Sequence, residues 1–234
     1  MSGSGRGRHL STGSFIEVQG SAPEAGKVAL TPLAGDPVLG VSLGNVHLLR
    51  LDRMHRDAPG NKWFKLQGNM ALARERGCRR LVSFGGAWSN HLHALAAFGH
   101  RYGLETVGVV RGEAAVRPSA TLRDAERWGM RLLHVSREEY RRRHDPRWQA
   151  ALEDRFSPCL VIPEGGANMA GMLGCRQIGA LIRSALPAPW PVYLPVGTGT
   201  TLAGVALELG RGWHVSGISA LRGARDLTAS VASL

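Results

Sequence analysis

Lysine is nearly absent from this chain. Only Lys27, Lys62 and Lys65 occur among its 29 lysines and arginines. Arginine replaces lysine wherever positive charge is enough, but its guanidinium stays protonated and cannot attack a carbonyl. Two of the three lysines lie together in Gly60-Asn61-Lys62-Trp63-Phe64-Lys65, at a predicted helix start. The segment alone fits either a lysine kept for covalent catalysis or two ordinary surface lysines.

Cysteines and long apolar runs are scarce as well. Cys78, Cys159 and Cys175 are widely spaced and form no CxxC pair or Cys/His cluster, which predicts reduced thiols and no metal site. No apolar run is long enough to span a bilayer. Residues 1–28 begin with small, polar and basic residues, which predicts a disordered leader rather than a secretory signal. We therefore expect a cytoplasmic protein.

Acidic residues are outnumbered, and the net charge is +11. A nucleic-acid binder is one interpretation of such a charge. However, the arginines are scattered, and the dense segment 137–144 carries acids at the spacing of a solvated helix face. We expect neither a nucleic-acid nor a membrane partner, because an anionic cofactor or substrate accounts for part of the charge.

From residue 81 onward, short apolar runs alternate with longer helical patterns. The predicted strands are 46–51, 81–84, 106–110, 131–135, 159–162, 191–196 and 214–218. The predicted helices are 89–102, 120–128, 138–156, 169–185 and one that begins at Thr201. This alternation predicts an α/β fold with open, parallel-type sheets. We expect a smaller domain over 60–160 and a larger, incomplete one over 29–59 plus 161–234.

Three glycine-rich junctions follow predicted strands, where α/β proteins gather their ligands. At 85–91 two glycines precede Ser89 and Asn90 at a helix start, which is typical of an anion site or of a plain helix cap. The junction 197–204 joins backbone amides to three threonine hydroxyls, as a phosphate site does. It lacks the Gly-Lys-Ser/Thr of a nucleotide P-loop, so a monophosphate fits better. The junction 163–168 is either a site or a simple connection.

Together, the lysine after Gly-Asn, the Gly-Gly-x-x-Ser-Asn turn and the Gly-Thr-Gly-Thr-Thr junction resemble a known family. It is the tryptophan-synthase-β-like, fold-type-II family of pyridoxal-phosphate enzymes. Within it, the chain resembles the branch of aminocyclopropane-carboxylate deaminase and D-cysteine desulfhydrase. The resemblance covers residues 30–221 and implies two α/β domains with pyridoxal 5′-phosphate as cofactor.

The resemblance also implies roles for individual residues. Lys62 would form the aldimine with the cofactor and later act as the base, with Ser89 as a second proton-handling group. The cofactor would be bound by Lys62, Asn61, Asn90, Gly197, Thr198, Gly199, Thr200 and Thr201. The substrate would be bound by Ser89, Asn90 and His91. Lys65 is expected to be a supporting or surface residue.

Two departures from the family pattern bear on function. Trp88 and His91 stand where the deaminase has glutamines, which favours a desulfhydrase-like member. The chain also stops at Leu234, before the family's last elements, including the group that faces the pyridine nitrogen. The resemblance implies a pyridoxal-phosphate-dependent deaminase or lyase that performs β-elimination on a small amino acid, with homodimerisation expected. The alternative is a truncated, catalytically impaired remnant that still binds the cofactor.

Overall fold

The computed structural model describes residues 30–33, 35, 45–220, 222–224 and 227–233. The predicted leader, residues 1–28, lies outside the described residues. The strands are β1 (Leu30–Pro32), β2 (His47–Leu49), β3 (Arg80–Gly85), β4 (Glu105–Arg111), β5 (Arg131–Val135), β6 (Cys159–Ile162), β7 (Val192–Val196) and β8 (Val215–Ser219). The helices are α1 (Asn61–Glu75), α2 (Asn90–Tyr102), α3 (Ala120–Arg127), α4 (Arg137–Arg141), α5 (Pro146–Phe156), α6 (Met169–Ala185), α7 (Thr200–Leu209) and α8 (Leu227–Ala232).

The central sheet is parallel, with strand order β5-β4-β3-β6. Strands β7 and β8 form a second parallel pair, and β1 pairs with β2 in antiparallel fashion. These sheets confirm the predicted α/β fold class. The boundaries of two domains stay a prediction.

Apolar residues cover both faces of the central sheet. Successive strand residues point to opposite faces, so Leu81 and Ile162 join a core cluster with helices α1, α2 and α6. Val82 and Phe84 join the other cluster, with α4 and α5. With both faces covered, the sheet leaves its strand ends as the place where polar groups can meet a ligand.

The predicted helix over 138–156 is wrong, because the structure has two helices there, α4 and α5. The break lies at Asp145 and Pro146. The side chain of Asp145 accepts a hydrogen bond from the Arg147 N–H at 2.9 Å and caps α5. Proline lacks the N–H that would continue the preceding helix, yet it suits the first position of a new one.

Glycines allow α1, α6 and α7 to pack closely together. A Cβ at Gly174 would collide with the carbonyl oxygen of Phe64, and one at Gly204 with that of Met172. The missing side chains therefore let α6 approach α1 on one side and α7 on the other. This packing holds the first turns of α1 and α7 near one another. Among the described residues, no helix combines the length and hydrophobicity that a membrane crossing requires.

Candidate functional site

Helix α1 brings two lysines to one cavity. Gly60 precedes the helix with a φ of 74°, a conformation that glycine adopts without strain. Lys62 and Lys65 lie three residues apart on α1, so they share a face of the helix. Both line a cavity of about 120 Å³. Because Lys65 is only 2% exposed, it is not a surface lysine.

The opposite wall is the junction between β7 and α7. Gly197, Thr198, Gly199 and Thr201 line the same cavity. Gly199 has a φ of 82° and precedes α7, whose first N–H groups have no partner within the helix. A Cβ at Gly197 would meet no atom within 4 Å, so the backbone there faces open space.

Thr200 differs from its neighbours in this junction. Its side chain is fully buried, and the residue is not among those that line the cavity. Its hydroxyl lies 3.1 Å from that of Thr198. The Thr200 side chain is therefore connected to the cavity by its hydrogen bond to the Thr198 hydroxyl. Its backbone belongs to the first turn of α7.

Asn61 is hydrogen-bonded to residues on both sides of the cavity. Its Nδ2 donates to the Thr201 hydroxyl at 2.8 Å, and its Oδ1 accepts from the Lys62 amine at 3.3 Å. A single amide thus joins a lysine on α1 to the first turn of α7, 140 residues along the chain. Asn61, Lys62 and the 197–201 junction, which the resemblance implies are one site, lie together in the structure.

Sequence reasoning missed the position of Lys65. Its amine donates to the carbonyl oxygen of Gly165 at 3.0 Å and to the Thr198 hydroxyl at 3.2 Å. The expectation of a supporting residue fits this contact, and that of a surface residue is wrong. The three-residue spacing from Lys62 was the signal, because it places both amines on one side of α1.

The third glycine-rich junction, 163–168, also packs against the site. Gly165 and Gly166 both have positive φ values, 70° and 69°. A Cβ at Gly166 would lie 3.3 Å from the Lys65 stem and 3.5 Å from Cε1 of His91. Glu164, next to them, accepts from the Tyr140 hydroxyl at 2.9 Å and from Arg143 Nε at 2.6 Å. The junction is therefore anchored on its outer side and contacts two candidate site residues on its inner side.

The Gly85–His91 junction is placed differently. Ser89 caps α2, since its hydroxyl accepts from the Leu92 N–H at 3.2 Å. Asn90 is exposed at the first position of the helix, and Trp88 is 72% exposed. His91 is buried. None of Ser89, Asn90 and His91 is among the residues that line the cavity, so their predicted roles toward substrate and cofactor stay predictions.

The electrostatics of the cavity favour an anion. Burial lowers the pKa of Lys62, and burial followed by the charge of Lys62 lowers the pKa of Lys65 to about 8. Within the described residues, neither amine forms an ion pair with a carboxylate. Buried ammonium groups without a counter-charge are costly, so a bound anion would stabilise them.

The donor set fits a phosphorylated aldehyde. Hydroxyls, helix N–H groups and the Lys65 ammonium suit a phosphate, while the Lys62 amine suits a carbonyl carbon. The part of the chain that the structure describes holds no cluster of three or more His, Cys, Asp or Glu side chains suited to a metal ion. The threonine hydroxyls, the helix N–H groups and the two lysines together fit pyridoxal phosphate.

Comparison with known proteins decides the family. The family described as "Pyridoxal-phosphate dependent enzyme" matches residues 26–232. The chain belongs to this pyridoxal-phosphate-dependent enzyme family. A Thermotoga maritima protein, assigned as a 1-aminocyclopropane-1-carboxylate (ACC) deaminase, is 30% identical over 166 residues, or 69% of this chain and 53% of its own length. The D-cysteine desulfhydrase of Serratia proteamaculans is 30% identical over 189 residues, or 76% of this chain and 57% of its own length.

Solved structures support the same fold. The crystal structure of an ACC deaminase homologue superimposes with a TM-score of 0.69 and 23% identity, covering 88% of this chain and 66% of its own. At that identity the likeness shows the fold alone. The chain spans about half the length of the curated relatives it matches, between 53% and 57% of the two named above.

Proposed function

We propose that this chain binds pyridoxal phosphate and supports β-elimination and deamination of a small amino acid. Lys62 would carry the cofactor covalently. The observation that supports this most is that Lys62 shares one cavity with the 197–201 junction and Lys65. A primary amine thus lies beside donors suited to a phosphate, as a phosphorylated aldehyde requires.

The proposed roles of Lys65 and Asn61 follow from their contacts, whereas those of Asn90 and Ser89 come from the resemblance to the family. Lys65 would pair with the phosphate while staying bound to Thr198, and the amides of Gly197, Gly199, Thr200 and Thr201 would complete that site. Asn61 would hold the Lys62 amine through its Oδ1. Asn90 would bind the cofactor's phenolic oxygen. Ser89 and the first amides of α2 would bind the substrate carboxylate.

When bound, pyridoxal phosphate supplies an electron-withdrawing ring that weakens the bonds at the substrate Cα. The amine of Lys62, once exchanged for the substrate amine, would take the proton from Cα. A lowered pKa favours that task, because more of the amine is then unprotonated near neutral pH. Ser89 is the second candidate for moving a proton.

We propose D-cysteine as the first substrate to test and aminocyclopropane-carboxylate as the second. Both choices come from the names of the relatives. Trp88 and His91 occupy positions where the deaminase has glutamine, which favours the desulfhydrase-like activity. Homodimerisation and a cytoplasmic location stay predictions.

The attachment site can be tested by reduction. Purified chain saturated with pyridoxal phosphate is treated with borohydride, digested and mapped. We expect the cofactor on the peptide that holds Lys62, no label in Lys62→Ala, and label retained in Lys65→Ala. Label on Lys65, or none in wild-type protein whose saturation has been shown, would overturn the assignment.

Turnover separates the two candidate functions. Release of ammonia and of the 2-oxo acid is measured with three substrates: pyruvate from D-cysteine and from serine, and 2-oxobutyrate from aminocyclopropane-carboxylate. Turnover of D-cysteine that disappears in Lys62→Ala would support the enzyme. Cofactor attached at Lys62 with no product from any of the three would favour the alternative, a remnant that binds the cofactor without catalysis.

A further inference from the structure

Two glycines form the turn that contacts the Lys65 amine. The carbonyl oxygen of Gly165 accepts from that amine at 3.0 Å, and the Gly166 N–H donates to the carbonyl oxygen of Pro163 at 2.9 Å. A Cβ at Gly165 would lie 3.3 Å from Cγ2 of Thr198, so the turn also packs against the β7–α7 junction. Glycine adopts many backbone conformations and has no side chain that could fix the turn. The position of the Gly165 carbonyl therefore depends on the residues that flank the two glycines.

Glu164 directly precedes this turn, and both of its carboxylate oxygens are bound. Oε1 accepts from the Tyr140 hydroxyl at 2.9 Å, and Oε2 accepts from Arg143 Nε at 2.6 Å. Hydrogen bonds to two separate oxygens fix the orientation of a carboxylate as well as its position. The Glu164 side chain is therefore held in place one residue before the carbonyl that accepts from Lys65.

The two donors to Glu164 are themselves well packed. Tyr140 is 3% exposed, and its ring meets that of Phe84 edge-on, with 6.5 Å between the ring centroids. The guanidinium of Arg143 lies over the Tyr140 ring, with its carbon 5.0 Å from the ring centroid. Burial, followed by the charge of Glu164, raises the pKa of the Tyr140 hydroxyl, so it stays a donor near neutral pH. Glu164 thus connects the Gly165–Gly166 turn to the core on one face of the central sheet.

The charge of Glu164 does not connect it to Lys65. The groups whose charges act on the Lys65 amine are Lys62 and Cys175. The Glu164 carboxylate forms its ion pair with Arg143 instead. An effect of Glu164 on Lys65 must therefore pass through the position of the Gly165 carbonyl.

We propose that Glu164 is a positioning residue for Lys65. Its bonds to Tyr140 and Arg143 keep the Gly165 carbonyl where it accepts from the Lys65 amine, and so keep that amine beside the Thr198 hydroxyl. An acceptor favours the protonated amine, so Glu164 helps Lys65 to stay charged at the candidate anion site. The positioning itself is independent of the proposed function, whereas its effect on phosphate binding rests on that function.

The pKa of Lys65 reports this positioning without any ligand. In cofactor-free chain it is obtained from the pH dependence of acetylation, read by peptide mapping, and the pKa of Lys62 is measured on the same samples. Glu164→Ala should lower the pKa of Lys65 by about 0.5–1, because the ammonium loses a well-placed acceptor. The pKa of Lys62 should not fall. A general loosening of the fold would do the opposite, because it would hydrate both amines and raise both pKa values.

Two conservative variants separate the hydrogen bonds of Glu164 from its charge. Tyr140→Phe removes one donor and no charge, so it should lower the pKa of Lys65 by less than Glu164→Ala does. Glu164→Gln removes the charge but keeps an oxygen that can accept, so it should restore part of the change. The matched control is Glu105→Ala, which removes a carboxylate that accepts from Arg80 Nε at 2.8 Å, at the start of β4. It should change the pKa of neither lysine.

Sulfate binding at pH 7, measured by calorimetry, tests the consequence for an anion. Glu164→Ala should weaken it about 3- to 10-fold, as expected for the loss of one well-placed hydrogen bond, and Lys65→Met should weaken it more. Unchanged sulfate affinity in both variants would refute the phosphate role of Lys65, while a lowered pKa of Lys65 would still support the positioning. An unchanged or raised pKa of Lys65 in folded Glu164→Ala, or no recovery in Glu164→Gln, would refute the positioning role of Glu164.

Discussion

At Lys65, burial and ligand charge act in opposite directions. Burial lowers its pKa to about 8, so in cofactor-free protein the amine loses its proton only slightly above neutral pH. A bound anion stabilises the ammonium and raises that pKa again. The residue therefore suits a phosphate: most of the amine is protonated near neutral pH, and a bound anion keeps it protonated at higher pH.

Anion binding should consequently weaken as the pH rises. Above pH 8, binding must be accompanied by proton uptake at Lys65, and affinity should fall up to about tenfold per pH unit. Sulfate is the suitable probe, because its own charge does not change in this range, and calorimetry from pH 6.5 to 9.5 measures its affinity.

Variants of Lys62 and Lys65 show which of the two amines binds sulfate. Lys65→Met should bind sulfate weakly and lose the fall in affinity that begins near pH 8. Lys62→Met should keep that fall, but at higher pH, because the charge of Lys62 no longer lowers the pKa of Lys65. A profile that survives in Lys65→Met and disappears in Lys62→Met would place the anion on Lys62 instead.

At the scale of the elements, the β7–α7 junction combines a helix start with two hydroxyls. Replacing both Thr198 and Thr200 by valine keeps the shape of the side chains but removes the hydroxyls, including the one that Lys65 contacts. Cofactor affinity should fall by about 1–3 kcal/mol. Equilibrium dialysis measures it, with Thr121→Val on α3 as the control that should change nothing. Unchanged affinity in the folded double variant would place the phosphate elsewhere.

The close approach of α6 to α1 gives a second test at this scale. A Cβ at Gly174 would collide with the Phe64 carbonyl oxygen, so Gly174→Ala should destabilise the fold by about 1–3 kcal/mol despite alanine's better helix propensity. Urea unfolding measures this. Ala substitution of Leu173, exposed on the same helix, should cost far less. A stabilised Gly174→Ala would mean that the helices separate more easily than the packing implies.

At the scale of the whole molecule, the sequence predicted most strands and helices because the apolar periodicity of each segment agrees with its place in the fold. It failed at Asp145-Pro146, where a local cap and a proline split a charged helix in two. The 60–65 and 197–201 segments could be assigned to one site only through the resemblance. Their actual contacts, such as Asn61 to Thr201 and Lys65 to Gly165, depend on how α6 packs between α1 and α7. No short-range pattern encodes that packing.

In this arrangement, two parts of the chain that are distant in sequence line the same cavity. A ligand that bonds to Lys62 and to the first turn of α7 at once should therefore stabilise the whole fold. By mass action, cofactor at 100 times its dissociation constant adds about 2.7 kcal/mol to the free energy of unfolding. Pyridoxal at the same concentration should add much less, because it lacks the phosphate that Lys65 and the 197–201 junction would bind. Urea unfolding with each compound measures the difference.

Lys62→Ala provides the control for that comparison, since it removes the covalent attachment and leaves the phosphate site. Its stabilisation by pyridoxal phosphate should be smaller than that of wild type but larger than its stabilisation by pyridoxal. Equal stabilisation of the wild-type chain by pyridoxal and pyridoxal phosphate would contradict binding of the ligand to both Lys62 and the β7–α7 junction. It would mean that the β7–α7 junction takes no part in binding, and that the amine of Lys62 alone holds the aldehyde.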